Sequence, residues 1–297
     1  MDRIALSGDL SMSRLVYGMW RLADDADRSE KNVRAKVEAC LAQGITTFDQ
    51  ADIYGDYESE AVFGALLKAD PSLRDRMEIA TKCGIKLLTD KVPGRRVKHY
   101  DTSAAHIEAS VDQSLSHMGI EVIDLLMIHR PDPFMDHAET GAALDRVVAS
   151  GKVRTIGVSN FKPHDIALLQ SAMAAPIVTN QIEISLLHLS PFTDGDIALC
   201  QQKGISPMAW SPLAGGALFA ADNAALLAEL EAIGAAHGVD ATAVALAFLL
   251  AHPAKIVPVV GTNTLSRIAA LSDAFKVSMD RETFFDLYSR ALGHEVP

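Results

Sequence analysis

Eight short, almost wholly apolar runs recur along the chain, each followed by a longer segment of helical period, and no other feature constrains the fold as tightly. The runs occupy residues 15–17, 46–49, 78–82, 123–128, 155–159, 177–181, 206–210 and 256–260. A run without alternation is what a parallel strand needs when helices cover one face and a closed interior the other. The segments between have legible ends. One carries Val33, Val37 and Leu41 on a face and stops at Gly44, a residue that takes the left-handed C′ conformation without strain. A second opens at Ser103, carries Ile107, Val111 and Leu115, and ends near Gly119. A third opens at Asp136 with Glu139 three residues on, the pattern of a capping box, and closes at Gly151. Pro163 marks the first turn of a fourth. Further helices are expected over 194–203, 224–237, 242–251, 264–274 and 281–292.

Eight strands alternating with helices, with no linker between them, are accommodated most economically by an α/β fold, the closed (β/α)8 TIM barrel, with residues 1–297 in one domain and extra helices at the C-terminal end. Residues 3–6 and 10–13, joined at Gly8-Asp9, read as a short N-terminal β-hairpin that plugs one end of the barrel. A doubly wound open sheet is the competitor, but neither Gly-x-Gly-x-x-Gly nor a Gly-x-x-x-x-Gly-Lys-Ser/Thr phosphate loop occurs.

Composition narrows the function. Of 297 residues, 49% are hydrophobic, enough for a large core, and the net charge of −11 argues against a nucleic-acid-binding surface. Cys40, Cys83 and Cys200 stand far apart, neither a disulfide framework nor a zinc pattern. The start Met1-Asp2-Arg3-Ile4 lacks the apolar core of a signal peptide, no run approaches ~18 apolar residues, and no Asn-x-Ser/Thr acceptor occurs. A cytoplasmic protein with no membrane partner is the plain expectation, and a monomer the default one.

In a parallel barrel the chemistry gathers at the C-terminal strand ends. Here the strands end in Asp49 (with Tyr54 in the next loop), Lys82, His129, Ser159-Asn160, Gln181, Trp210-Ser211 and Gly261-Thr262. Singly, an Asp at a strand end is usually a cap, and a lone His usually a satisfied core residue. Lys82 resists that reading. It should point into the barrel mouth, where an unpaired ammonium is costly, and Asp49 on the adjacent strand can supply the carboxylate. Tyr54 and His129 can converge on the same point. A cation beside a phenol is expected to lower its pKa from ~10 by roughly 1–3 units, toward the range useful for proton transfer. The implied chemistry is carbonyl polarisation with proton donation, the hydride coming from a cofactor.

These residues resemble the aldo-keto reductase family. Phe48-Asp49-Gln50-Ala51-Asp52-Ile53-Tyr54-Gly55, followed by Glu60 and Gly64, is similar to its Asp-x-Ala-x-x-Tyr-Gly signature. Ile79–Lys82, Asp124–Pro131, Gly151–Phe161, Asn180–Glu183 and Trp210–Leu213 match in the same order, so the resemblance covers about residues 16–267 and looks closest to the family's bacterial cytosolic oxidoreductase branch. It implies that Asp49, Tyr54, Lys82 and His129 are the catalytic tetrad, with Tyr54 as proton donor to an aldehyde or ketone. It implies that Ser159, Asn160 and Gln181 hold a nicotinamide carboxamide and Trp210 stacks on the ring. Ser211, Leu213 and Gly215 fall on the loop over the pyrophosphate, and Gly261, Thr262, Asn263 and Arg267 on the adenosine and its 2′-phosphate. Gly261 stands where many NADPH-using relatives have lysine, and Ala270-Leu271 where they have Glu-Asn. Arg267 keeps NADPH the favoured cofactor, with NADH not excluded. The tail after Gly293 is short, so the third substrate loop of longer relatives is largely missing and the pocket is expected to be open.

Trp20, Tyr57 and Phe134, in rim loops, are candidates for the substrate pocket of a small carbonyl compound, with rim packing the alternative. The stretch 83–103 carries Lys86, Lys91, Arg95, Arg96, Lys98 and His99, which either draw anions to the mouth or form a solvated loop. Cys83 is expected to be buried and inert, its side chain opposite to that of Lys82. Two other functions compete: a nicotinamide-binding regulatory subunit, against which the intact tetrad argues, and a metal-dependent barrel hydrolase. The latter needs several His/Asp ligands at strand ends, and no metal is expected here.

Overall fold

A computed structural model describes every residue except Met1 and Asp9. Eight parallel strands close into a barrel: Val16–Gly18, Thr47–Asp49, Glu78–Cys83, Ile123–Ile128, Val153–Ser159, Ile177–Glu183, Ser206–Trp210 and Val257–Val260. The eighth pairs with the first through Val259↔Val16 and Val260↔Tyr17, so no edge is left open. All eight expected runs are strands, with ends displaced by one or two residues.

Each strand divides its apolar side chains between two layers. Leu125 and Met127 join Val16, Ala80, Val178, Met208 and Val257 in the barrel interior. Leu126 and Ile128, pointing the other way, pack against Ile107 and Val111 of the helix Ala104–Met118. The hairpin, Arg3–Ser7 against Leu10–Ser13, contributes Ile4 and Met12 to the interior cluster. Arg3 ties it to the lower rim through Thr46 Oγ1 at 2.8 Å and Glu78 Oε1 at 2.5 Å, beside the starts of the second and third strands. Of the expected Gly8-Asp9 turn, Asp9 lies outside the described residues.

Helix ends obey local chemistry. Ser103 Oγ accepts from His106 N, and Gly119 closes that helix at φ 67°. Asp136 caps the helix His137–Ala149 by accepting from Ala138 N and Glu139 N. The capping box is only half made, because Glu139 Oε1 instead takes the Ala104 N–H at 2.9 Å. The expected helix over 264–274 is broken into Leu265–Ala269 and a 3-10 turn Leu271–Lys276. Gln43 does this. Its Nε2 donates to Ile268 O at 2.8 Å and its Oε1 accepts from Ser272 N at 2.9 Å, inserting an amide where a helical hydrogen bond would run. A helix over Ser59–Ala69 is additional to those read from the pattern. Its Gly64 allows close packing, since a Cβ there would lie 2.0 Å from His117 O. Among the described residues no single helix is long and apolar enough to cross a membrane.

Candidate active site

The third strand puts Lys82 into the barrel mouth with no exposed surface, and three protons must be satisfied there. Asp49 at the end of the second strand provides for this: Lys82 Nζ lies 2.7 Å from both carboxylate oxygens. The Gln50 carbonyl accepts at 2.9 Å and Tyr54 Oη lies 3.0 Å away. Tyr54 reaches back because its loop turns tightly, with Gly55, Asp56 and Tyr57 all at positive φ. His129, ending the fourth strand, sets its ring edge-on to Tyr54, centroids 5.9 Å apart. The four residues brought together are the four expected ones.

Their electrostatics differ from expectation in one respect. Burial alone would pull the Lys82 ammonium down, but Asp49 and Tyr54 outweigh it and hold the group above its ordinary value. Tyr54 is raised, not lowered. Burial pushes the phenol up, Asp49 adds to that push, and Lys82 offsets only part of it. The reason is burial first, with Asp49 cancelling part of what the Lys82 cation would do on its own. His129 is pushed well below its ordinary value by burial, then by Lys82, Arg130 and Lys98, so its imidazole is neutral. Its Nδ1 is buried without a partner. The site therefore offers a protonated phenol and a neutral imidazole side by side.

A cleft of about 900 Å³ runs from this group to Arg267. Ser159 and Gln181 line it, and their bonds knit three strands together. Ser159 Oγ donates to Gln181 O at 2.8 Å, and Gln181 Nε2 donates to Asp49 Oδ1 at 3.0 Å. Asn160, at φ 60°, is held between Ser159 Oγ (2.8 Å) and the indole N–H of Trp210 (3.0 Å). Beyond Trp210 the backbone departs from the usual regions: Ser211, Ala214, Gly215 and Gly216 all have positive φ. Leu213, Gly261, Thr262 and Arg267 continue the lining. Asn263 is not among the lining residues. Its side chain donates to Arg21 O at 2.7 Å and accepts from Lys36 Nζ at 3.1 Å, pinning the eighth loop to the first.

Of the three expected pocket aromatics, only Trp20 lines the cleft, 57% exposed. Tyr57 Oη is taken by Leu87 N at 2.9 Å and Arg95 at 2.7 Å, and Phe134 stands 96% exposed in solvent. The structure brings neither to the cleft. Most of the basic residues in 83–103 are also spoken for. Lys91 pairs with Glu58 at 2.6 Å, Lys86 with Asp101 at 3.6 Å, and Arg95 donates to Leu87 O at 2.9 Å. The segment is ordered by pairing of Ile85–Lys86 with His99–Tyr100, which carries Lys98 and Tyr100 to the mouth. Arg130 also lines it, hydrogen-bonded to His129 O at 2.8 Å and 5.9 Å from the Trp210 ring. Sequence reasoning passed over Arg130, though its place directly after His129 was a usable signal. Cys83 is buried, its thiol pushed far up by burial. Among the described residues no cluster of three or more His, Cys, Asp or Glu can hold a metal.

Known proteins bear on this geometry. The model of the Aldo/keto reductase family matches residues 14–289. A 6-dehydroglucose reductase of Agrobacterium fabrum is 61% identical over the whole of both chains. A thermostable aldo-keto reductase solved with the inhibitor epalrestat superposes with a TM-score of 0.83 at 25% identity, covering 98% of this chain and 100% of that one. An aldo/keto reductase from Klebsiella pneumoniae, solved with NADP and acetate, shares the fold at 22% identity, with a TM-score of 0.78 over 96% and 93% of the two chains. The chain belongs to the aldo/keto reductase family, whose members are oxidoreductases that use nicotinamide cofactors.

Proposed function

We propose that this protein reduces the carbonyl group of a small hydroxyl-bearing aldehyde or ketone to an alcohol, with NADPH as cofactor and Tyr54 as proton donor. The observation that carries the reading is Tyr54 Oη at 3.0 Å from a Lys82 that is itself locked onto Asp49, at one end of a cleft that reaches Arg267. The cleft suits a dinucleotide. It falls in the size range of cofactor sites. It carries a positive-φ loop able to turn backbone N–H groups toward phosphate, and it ends in an exposed Arg267.

Bound nicotinamide supplies the hydride, which no side chain provides. In this reading Ser159, Asn160 and Gln181 would hold the carboxamide, and Trp210 would lie at the ring. Ser211, Leu213 and Gly215 would hold the pyrophosphate, and Gly261, Thr262 and Arg267 the adenosine end, with Asn263 holding that loop in place. The substrate oxygen sits between Tyr54 Oη and the His129 ring, accepting from both. Lys82 keeps Tyr54 aimed, and the raised phenol stays protonated until the oxygen draws its proton. Trp20, Lys98, Tyr100 and Arg130 close the substrate side with donors suited to hydroxyl groups. The name of the 61%-identical relative supports a sugar carbonyl such as that of 6-dehydroglucose. We further take the protein to work as a monomer in the cytoplasm; its cysteines are free and buried.

The test is a fluorescence titration with NADPH and with NADH, followed by NADPH oxidation in the presence of 6-dehydroglucose and of an aliphatic aldehyde of similar size. The reading expects tight NADPH binding and turnover that is faster on the sugar. A folded protein that binds neither nucleotide overturns it.

A further inference from the structure

Two carboxyl groups lie behind the reaction site, and the chemistry proposed above uses neither. Asp52 stands two residues before Tyr54, and Glu60 lies in the first turn of the helix Ser59–Ala69. They are 8% and 1% exposed. Each has one oxygen, Asp52 Oδ1 and Glu60 Oε2, buried with no hydrogen-bond partner. Both grip the strand that carries Lys82: Asp52 N donates to Lys82 O at 3.0 Å, and Thr81 Oγ1 donates to Glu60 Oε1 at 2.6 Å.

Lys86 and Lys82 offset the burial of these carboxyls only in part, and among the described residues neither forms an ion pair with Asp52 or Glu60. The Lys82 ammonium is spent on Asp49, Gln50 O and Tyr54. Lys86 faces His106 at 2.8 Å and Asp101 at 3.6 Å. His106 is pushed down to about 4, by burial first and then by Lys86, and is neutral. His117 Nδ1 stands 3.9 Å from Glu60 Oε2, but burial and Lys68 push it below its ordinary value. The adjacent Cys83 thiol is held protonated by burial, with Asp52, Glu60 and Asp101 adding to the effect.

We propose that Asp52 and Glu60 together hold one proton, Asp52 as a neutral acid beside a Glu60 carboxylate, and that this pair positions Tyr54 and sets the alkaline limit of its proton transfer. The Glu60 charge acts on Asp52, and two buried like charges that repel cannot both ionise cheaply, so the pair titrates as a unit. The proton falls to Asp52 because the donors are unequal. The Thr81 hydroxyl donates to Glu60 Oε1 at 2.6 Å, whereas among the described residues no side chain donates to the Asp52 carboxyl. Burial raises both groups, and Asp52 well above the usual carboxylate range, with Glu60 adding to that rise. When the proton leaves at high pH, a second anion stands behind Lys82. It competes with Tyr54 for that ammonium's field, the phenol becomes a weaker acid, and turnover falls.

The inference rests on Tyr54 as the proton donor, so its test has a readout that needs no turnover. In wild-type protein without substrate, the infrared spectrum at neutral pH should contain the C=O stretch of a protonated carboxylic acid. The band should vanish at the pH where kcat falls. Asp52→Asn removes the band and extends turnover to higher pH. Glu60→Gln keeps the band but lets it vanish at lower pH, because the repulsion holding the proton is gone. A missing band, a band that survives Asp52→Asn, or an unchanged kcat profile in a folded Asp52→Asn protein overturns the pair. A normal band in a protein that reduces no carbonyl overturns instead the reaction proposed for Tyr54.

Discussion

The two ends of the cleft are built on different principles. At the Tyr54 end, position is enforced by burial: Lys82 has no exposed surface, and its donors are all engaged within 3.0 Å. At the Arg267 end, shape comes from backbone turns at Ser211, Ala214, Gly215 and Gly216, while the guanidinium itself is exposed. A buried, fully bonded group costs a great deal to disturb and yields a fixed geometry. An exposed one costs little and yields affinity. The molecule is thus rigid at the Tyr54 end and adjustable at the Arg267 end.

Substitutions at the two ends should break this contrast if it is false. The largest effect is expected from Tyr54→Phe, which removes the proposed proton donor and should lower kcat by about 10²–10⁴-fold while NADPH affinity, measured by fluorescence, stays the same. Next comes Lys82→Met. It strands Asp49 in the interior and should cost about 3–5 kcal/mol in urea unfolding, part of which Asp49→Asn restores in the double variant. Arg267→Ala should weaken NADPH by about 1.5–3 kcal/mol, the value of a charge-assisted hydrogen bond, with kcat at saturation and the unfolding midpoint unchanged. The smallest effect concerns pH. His129 is kept neutral in the fold, whereas the unfolded chain takes a proton below about pH 6.5. Its contribution to stability is therefore complete above that pH, and is lost on acidification at up to about 1.4 kcal/mol per unit. His129→Gln should flatten the acid side of the stability curve, and Arg267→Ala should leave it as it was. Equal sensitivity at both ends would remove the distinction.

The barrel and the grouping of Asp49, Tyr54, Lys82 and His129 were legible in the sequence because both depend on local pattern: apolar runs, and polar residues at their C-terminal ends. What was hidden depends on residues far apart in the chain. The break at residue 270 comes from Gln43, 225 positions before the Ile268 carbonyl it engages. The helix Ser59–Ala69 contains Gly64, whose reason is the approach of His117 and not anything within the helix. The upward direction of Tyr54 needed the degree of burial, which no motif encodes. Tyr57 was placed on the right loop, but Arg95 and Leu87 N claim its hydroxyl, and Asn263 is claimed by Lys36 and Arg21.

The hairpin Arg3–Ser7 and Leu10–Ser13, with Ile4 and Met12 wedged among the interior side chains, turns the barrel from a tube into a blind cup. Whatever reaches Tyr54 arrives through the same doorway by which it departs. Visitors to such a room must queue. A molecule seated against the inner wall cannot leave before one seated nearer the opening.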